Sequence, residues 1–206
     1  MLVVVSDLHF QDTLHDRVQY RGRDGRTRVL DARRNVDPEV FKAFIAARIR
    51  EANELRATEL RFLFAGDLLD FNRSLLWYAR DHVNTRPYDL GGAGAPEGSE
   101  TAQAVERAAT EILEGIRLSN VDLLGVPGAP SFFESLGRTR RVGEEVLADR
   151  CPLYIDFIPG NADRVVLHFA SLRARVRAML AMGGAPLLPL PTARLYDGAS
   201  KERPPY

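Results

Sequence analysis

Three short clusters of hard-donor side chains recur along the chain, each directly after an apolar run. They are Ser6-Asp7-Leu8-His9, Gly66-Asp67-Leu68-Leu69-Asp70 and Gly160-Asn161-Ala162-Asp163. Asp and Asn offer oxygen donors and His a borderline nitrogen, a mixture that suits Mn, Fe or Zn better than Ca. Asp7 and His9 are two residues apart, so an extended backbone there points both side chains the same way. A glycine before Asp67 and another before Asn161 permit tight turns that aim each side chain into a common crevice. One such cluster alone is a weak signal, because Asp-x-His arises often by chance and Gly-Asp-x-x-Asp is usually a turn with a cap. Three in this order point to cation binding.

The runs that carry these clusters read as buried strands. They are Leu-Val-Val-Val over residues 2–5, Phe62-Leu63-Phe64-Ala65, and residues 153–158 ahead of Pro159. Between the first two, Asp37-Pro38-Glu39 is a helix start: a capping carboxylate, proline at the first helical position, and an acidic residue at the positive end of the dipole. Val40, Phe41, Phe44, Ile45 and Ile49 then keep an apolar stripe at helical spacing. Strand, helix, strand implies a parallel pair joined by a crossover helix, in a fold of the α/β class. Ligands of such sheets bind beyond the carboxyl ends of the strands, where all three clusters fall. Further helices are predicted over 71–84, 100–118, 131–149 and 171–182. Residues 11–36, polar and Arg-rich with Gly22 and Gly25, read as an irregular excursion. The stretch 86–98 reads as a flexible loop, 165–169 as strand or helix entry, and the chain after 182 as a proline-rich loop.

With 206 residues the chain forms one domain, carrying a helical insertion at about 80–150. Lys plus Arg and Asp plus Glu number 28 each, so no global field draws the chain to nucleic acid or anionic lipid. Lys42 and Lys201 are the only lysines, a compositional bias that devalues a local cluster such as Arg138, Arg140 and Arg141, read as a solvated face. The one cysteine, Cys151, excludes a disulfide framework and reads as buried and inert. The N-terminal apolar run is too short for a signal peptide or a membrane span, which makes the cytoplasm the expected compartment.

The ordered clusters resemble the calcineurin-like metallophosphoesterases. Their pattern runs Asp-x-His, Gly-Asp-x-x-Asp, Gly-Asn-His followed by an acidic residue, a further His, and Gly-His-x-His. The resemblance covers residues 1–180 in scattered blocks, with Phe64-Ala65-Gly66-Asp67 and Phe157-Ile158-Pro159-Gly160-Asn161 matching the family's strand endings. It implies a layered α/β/β/α sandwich and a centre for two divalent metals (Mn, Fe or Zn). Asp7 and His9 match ligands of the first metal, Asp67 the carboxylate that bridges both, and Asn161 an amide ligand of the second. Asp70 and Asp163 match positions that support the ligands by hydrogen bonds. The implied reaction is hydrolysis of a phosphate monoester or diester by a metal-activated water. The implied substrate is a phosphorylated small molecule or a nucleic-acid phosphodiester.

Two departures qualify the expectation. Ala162 stands where the family has the histidine that stabilises developing charge beside the phosphate or protonates the leaving oxygen, and loss of such a group typically costs about 10²–10⁴-fold in rate. No Gly-His-x-His occurs, so the first metal lacks one imidazole and the second lacks two, which leaves occupancy of the second site in doubt. Of the remaining histidines, His15 and His82 read as exposed and His168 as packed within an apolar run. The chain therefore reads as the N-terminal portion of such an enzyme, with only the first sheet half complete and activity impaired. A second reading is an inactive binding or scaffold module with a partner surface at 80–150. A third is a nuclease subunit completed by another chain.

Overall fold

Of the strands expected from the apolar runs, all three form. The computed structural model describes residues 1–13, 15–78, 98–126 and 128–180. In chain order it contains β1 (Leu2–Val5), β2 (His15–Arg21), β3 (Thr27–Arg33), α1 (Pro38–Glu54), β4 (Leu60–Ala65), α2 (Glu100–Ser119), α3 (Val121–Leu124), α4 (Phe132–Thr139), β5 (Arg141–Val142), β6 (Glu145–Val146), β7 (Leu153–Ile158), α5 (Val165–His168) and α6 (Ala170–Met179). The fold is mixed α/β, with a parallel three-stranded sheet in the order β1-β4-β7.

Strand alternation and helix stripe meet in one core. Val3 pairs with Phe62, Phe62 with Ile155 and Phe64 with Phe157, so all five lie on one sheet face, and all are buried. On that face the Phe41 ring of α1 stacks on Phe64 with centroids 6.5 Å apart, and Phe133 of α4 meets Phe64 edge-on at 5.7 Å. Full burial of each such ring contributes about 1.5–3 kcal/mol. α1 begins where the sequence predicts, with Asp37 Oδ1 accepting from the backbone of Glu39 at 2.8 Å. Ala108, Ile112 and Ile116 of α2 join the same buried cluster, so the helices of the 80–150 region share the core of the sheet. On the opposite sheet face Leu2 is 59%, Val4 57% and Tyr154 41% exposed, while Asp156 is buried and paired with Arg61.

Several expectations are corrected. Residues 11–36 are not irregular, because β2 and β3 pair antiparallel over seven positions from His15↔Arg33 to Arg21↔Thr27. The root of this ribbon is fixed by buried amides: Asn35 Oδ1 accepts from Gln11 N at 2.7 Å, while Asn35 and Asn120 both donate to the Gln11 carbonyl. Of the stretch 71–84 expected to be helical, 71–78 holds only a 3₁₀ turn at Leu75–Tyr78, beside which the buried Trp77 indole donates to the Phe71 carbonyl at 2.6 Å, and 79–84 lie outside the described residues. Residues 79–97, with His82 and most of the predicted 86–98 loop, lie outside the described residues, as do 181–206. The helix predicted over 131–149 stops at Thr139, because Arg140 turns left-handed (φ 55°) and Gly143 closes a hairpin of β5 and β6. Only part of the arginine cluster is solvated: the Arg140 guanidinium donates to the carbonyls of Ala148 and Cys151. Cys151 is buried, as expected. His168 is exposed at the end of α5 rather than packed. Among the described residues no helix is long and apolar enough to cross a membrane.

Candidate metal centre

Because β1, β4 and β7 are parallel neighbours, the loops that leave their carboxyl ends share one sheet edge, with the Asp67 loop in the middle. The first two loops continue the pairing beyond the strands. His9 N donates to the Asp67 carbonyl and Phe10 N to the Leu68 carbonyl, both at 2.9 Å, and Asp70 N returns to Phe10 O at 2.9 Å. The third loop is tied in through Asp67 itself, whose Oδ1 accepts from Ala162 N at 2.8 Å. Phe71 N donates to the Ala162 carbonyl at 3.1 Å, and Asn72 Nδ2 to the Asn161 carbonyl at 3.2 Å.

The backbone at the ligands differs from expectation. Asp7 and His9 are not extended; their φ values are 58° and 48°, and that of Asp67 is 52°. Only Arg56 and Arg140 share this left-handed conformation among the other described non-glycine residues. Such residues cost about 1–3 kcal/mol each and persist where the surroundings impose them, most often at functional sites. Here the inter-loop hydrogen bonds impose them.

The result is convergence. A ligand atom from each of Asp7, His9 and Asp67 lies within 4.8 Å of the others, and no other such group of acidic, His or Cys side chains occurs among the described residues. His9 Nε2 is 3.9 Å from Asp7 Oδ1, while Nδ1 is 3.0 Å from Asp70 Oδ2. Asp70 is buried and accepts at Nδ1, which fixes the tautomer that leaves the Nε2 lone pair facing the cluster. Asp70 Oδ2 also pairs with Arg73 Nε at 3.3 Å, and Asp70 Oδ1 accepts from Arg73 N at 3.2 Å. The sequence reading passed over Arg73, although its spacing of three from Asp70 is the signal of a turn-bound pair.

Asp163 is fully buried and accepts three backbone N–H groups, from Leu68 at 2.9 Å, Leu69 at 3.4 Å and Gly160. Burial pushes its carboxyl up to about 6, the three donors pull it down, and the nearby Asp67 charge adds to the rise. It supports the site from behind by joining the second loop to the third. Asp163→Ala strands those donors, and at about 1–3 kcal/mol for each unsatisfied buried group the loss should exceed about 3 kcal/mol. The check is a chemical-denaturation midpoint, expected to fall well below that of the parent chain.

Asn161 is exposed and its side-chain amide makes no hydrogen bond among the described residues, so its oxygen is available at the sheet edge. The Ala162 methyl is 4% exposed, and this residue serves the site through its backbone alone. His168 does not join the cluster, and His82 is outside the described residues. The donors present fit one divalent cation: two carboxylates and an oriented imidazole, with Asp7 71% exposed so that solvent reaches them. A second cation would find only Asp67 and Asn161 among the residues assigned to it. No protein-family model matches the chain, and neither a curated protein nor a solved structure does.

Proposed function

We propose that this chain is a cation-dependent phosphoesterase of the calcineurin-like metallophosphoesterase class, acting on a phosphate monoester or diester. The observation that carries the reading is the convergence of Asp7, His9 and Asp67 on left-handed backbone at the carboxyl edge of a parallel sheet. Asp7, His9 and Asp67 would hold a first cation (Mn, Fe or Zn), and Asp67 with Asn161 would reach a second. A bound cation supplies Lewis-acid polarisation of a phosphoryl oxygen and lowers the pKa of water toward neutrality. The chain's own residues orient and hold: Asp70 fixes the His9 ring, Asp163 and the Ala162 N–H fix the loops, and Arg73 places an exposed guanidinium beside Asp70. Leu2, Val4 and Tyr154, exposed on the opposite sheet face, are the kind of apolar surface that a second sheet covers in an α/β/β/α sandwich.

Ala162 offers no proton to a leaving oxygen, so substrates that leave as stable anions should suffer least. Mn-dependent hydrolysis of bis-p-nitrophenyl phosphate is therefore expected to exceed that of an alkyl phosphodiester by more than about 10²-fold. A rate unchanged by chelation would remove the proposal.

A second reading, a binding module that keeps the fold without turnover, is favoured by the single imidazole in the cluster. It predicts one weakly held cation and no hydrolysis in calorimetric and rate measurements on the same protein.

A further inference from the structure

The outer part of the β2–β3 ribbon, residues 19–30, stands in solvent. From Gln19 to Leu30 every residue except Gly22 is exposed, including Tyr20 at 44%, Val29 at 59% and Leu30 at 53%. An isolated two-stranded hairpin is marginal in water by itself, yet this one is rooted on buried amides at Gln11, Asn35 and Asn120. That root begins at Gln11, two residues after His9 of the candidate metal centre.

Its charge is one-sided. Residues 19–30 hold four arginines against one aspartate, in a chain whose charges balance overall at 28 of each sign. Arg28 pairs with Asp24 at 2.8 Å and Arg21 Nε donates to the Gly25 carbonyl at 3.2 Å. Arg23 and Arg26 are exposed and carry no side-chain hydrogen bond or ion pair among the described residues. The cross-strand pair Tyr20↔Arg28 sets an aromatic ring and a guanidinium on one ribbon face, with Leu30 two residues along.

We infer that the β2–β3 ribbon is a nucleic-acid-binding arm that delivers a phosphodiester backbone to the Asp7, His9 and Asp67 edge. Strands of seven residues extend about 23 Å, and a two-stranded ribbon of this kind fits the major groove of a duplex. Arginines along it neutralise phosphates, while Tyr20 and Leu30 offer apolar contact to sugars and bases. As a statement of substrate class the inference rests on the phosphoesterase reading; as a statement of binding it stands apart from it.

The test is fluorescence anisotropy of a labelled DNA duplex against the parent chain, the Asp67→Ala chain, and a variant carrying Arg21→Glu, Arg23→Glu, Arg26→Glu and Arg28→Glu. The parent should bind with affinity falling steeply as salt rises, and Asp67→Ala, whose ribbon arginines are intact, should keep that salt dependence. The charge-reversed variant should bind at least about tenfold more weakly, with a log–log salt slope shallower by about three to four. Arg23→Ala with Arg26→Ala, which leaves the Arg28 pair intact, should give about half the change in slope. Equal duplex binding by parent and variants overturns the inference, as does tighter binding of phosphatidylserine vesicles or polyglutamate than of the duplex. Arginine-dependent duplex binding without hydrolysis of any ester upholds the arm and rejects the phosphoesterase reading. Cation-dependent hydrolysis of bis-p-nitrophenyl phosphate without duplex binding does the reverse.

Discussion

Asp67→Ala is expected to lower cation-dependent hydrolysis by more than about 10²-fold, since even the partner behind a metal ligand typically contributes about 10–100-fold. Asp67 lies in the central loop of the edge, within reach of Asp7 and His9, and its Oδ1 also accepts from Ala162 N. Alanine removes both functions, so the third loop should loosen as the cation is lost. Asp67→Asn separates them. Its amide oxygen can still accept from Ala162 N, but the negative charge that attracts the cation is gone. The expected pattern is a near-parental melting temperature for Asp67→Asn, a lower one for Asp67→Ala, and no saturable Mn binding in either by calorimetry. Parental turnover in Asp67→Asn would show that the cluster is not the reacting centre.

Gly160→Ala should be the most damaging single methyl group in the chain. A Cβ at this position would lie 2.6 Å from Asp67 N and 2.9 Å from Gly66 Cα, and closer still to Asp67 Oδ1. Two of these neighbours are backbone, and the third is the Asp67 carboxylate that Ala162 N holds in place, so no flexible side chain can yield. Overpacking of this kind costs about 1–3 kcal/mol and more where the backbone must move. In a chain of this size about 3 kcal/mol lowers the melting temperature by about 6–12 °C. Gly66→Ala is the useful comparison. Gly66 is left-handed (φ 86°), but its Cβ would meet nothing nearer than Gly160 Cα at 3.5 Å. That variant should cost only about 1–2 kcal/mol, the strain of an ordinary side chain in that region. The order Gly160→Ala worse than Gly66→Ala distinguishes the close approach of two loops from simple conformational preference, and cation affinity should fall in the same order.

The apolar runs ending in ligands made the strands and their shared edge legible. Leu2–Val5, Leu60–Ala65 and Leu153–Ile158 form the expected parallel sheet, and Asp37-Pro38-Glu39 starts its helix at the expected residue. The conformation of the ligands was not legible. Asp and His enter the left-handed region more often than most side chains but still seldom, and the turn at Asp7, His9 and Asp67 is held by hydrogen bonds between loops some sixty positions apart. The ribbon was missed for a different reason. A strand is recognised by apolar alternation when one face is covered, and Arg28, Val29 and Leu30 are all exposed, so no such alternation is imposed there. α4 ended early because Arg140, not glycine, takes the left-handed cap, supported by carbonyls that come from later in the chain.

The left-handed turns at Asp7, His9 and Asp67 also tie chemistry to survival. None of them is favoured in an isolated segment, so the donor triad exists only while the loops remain zipped and the sheet is assembled. A cation that binds the assembled triad and not the open chain shifts the balance toward the native state, by about 2.7 kcal/mol at a hundredfold excess over its dissociation constant. Supply of that cation would then govern more than turnover. It would set the fraction of molecules open to proteolysis at any moment, and hence how long each copy of the chain persists.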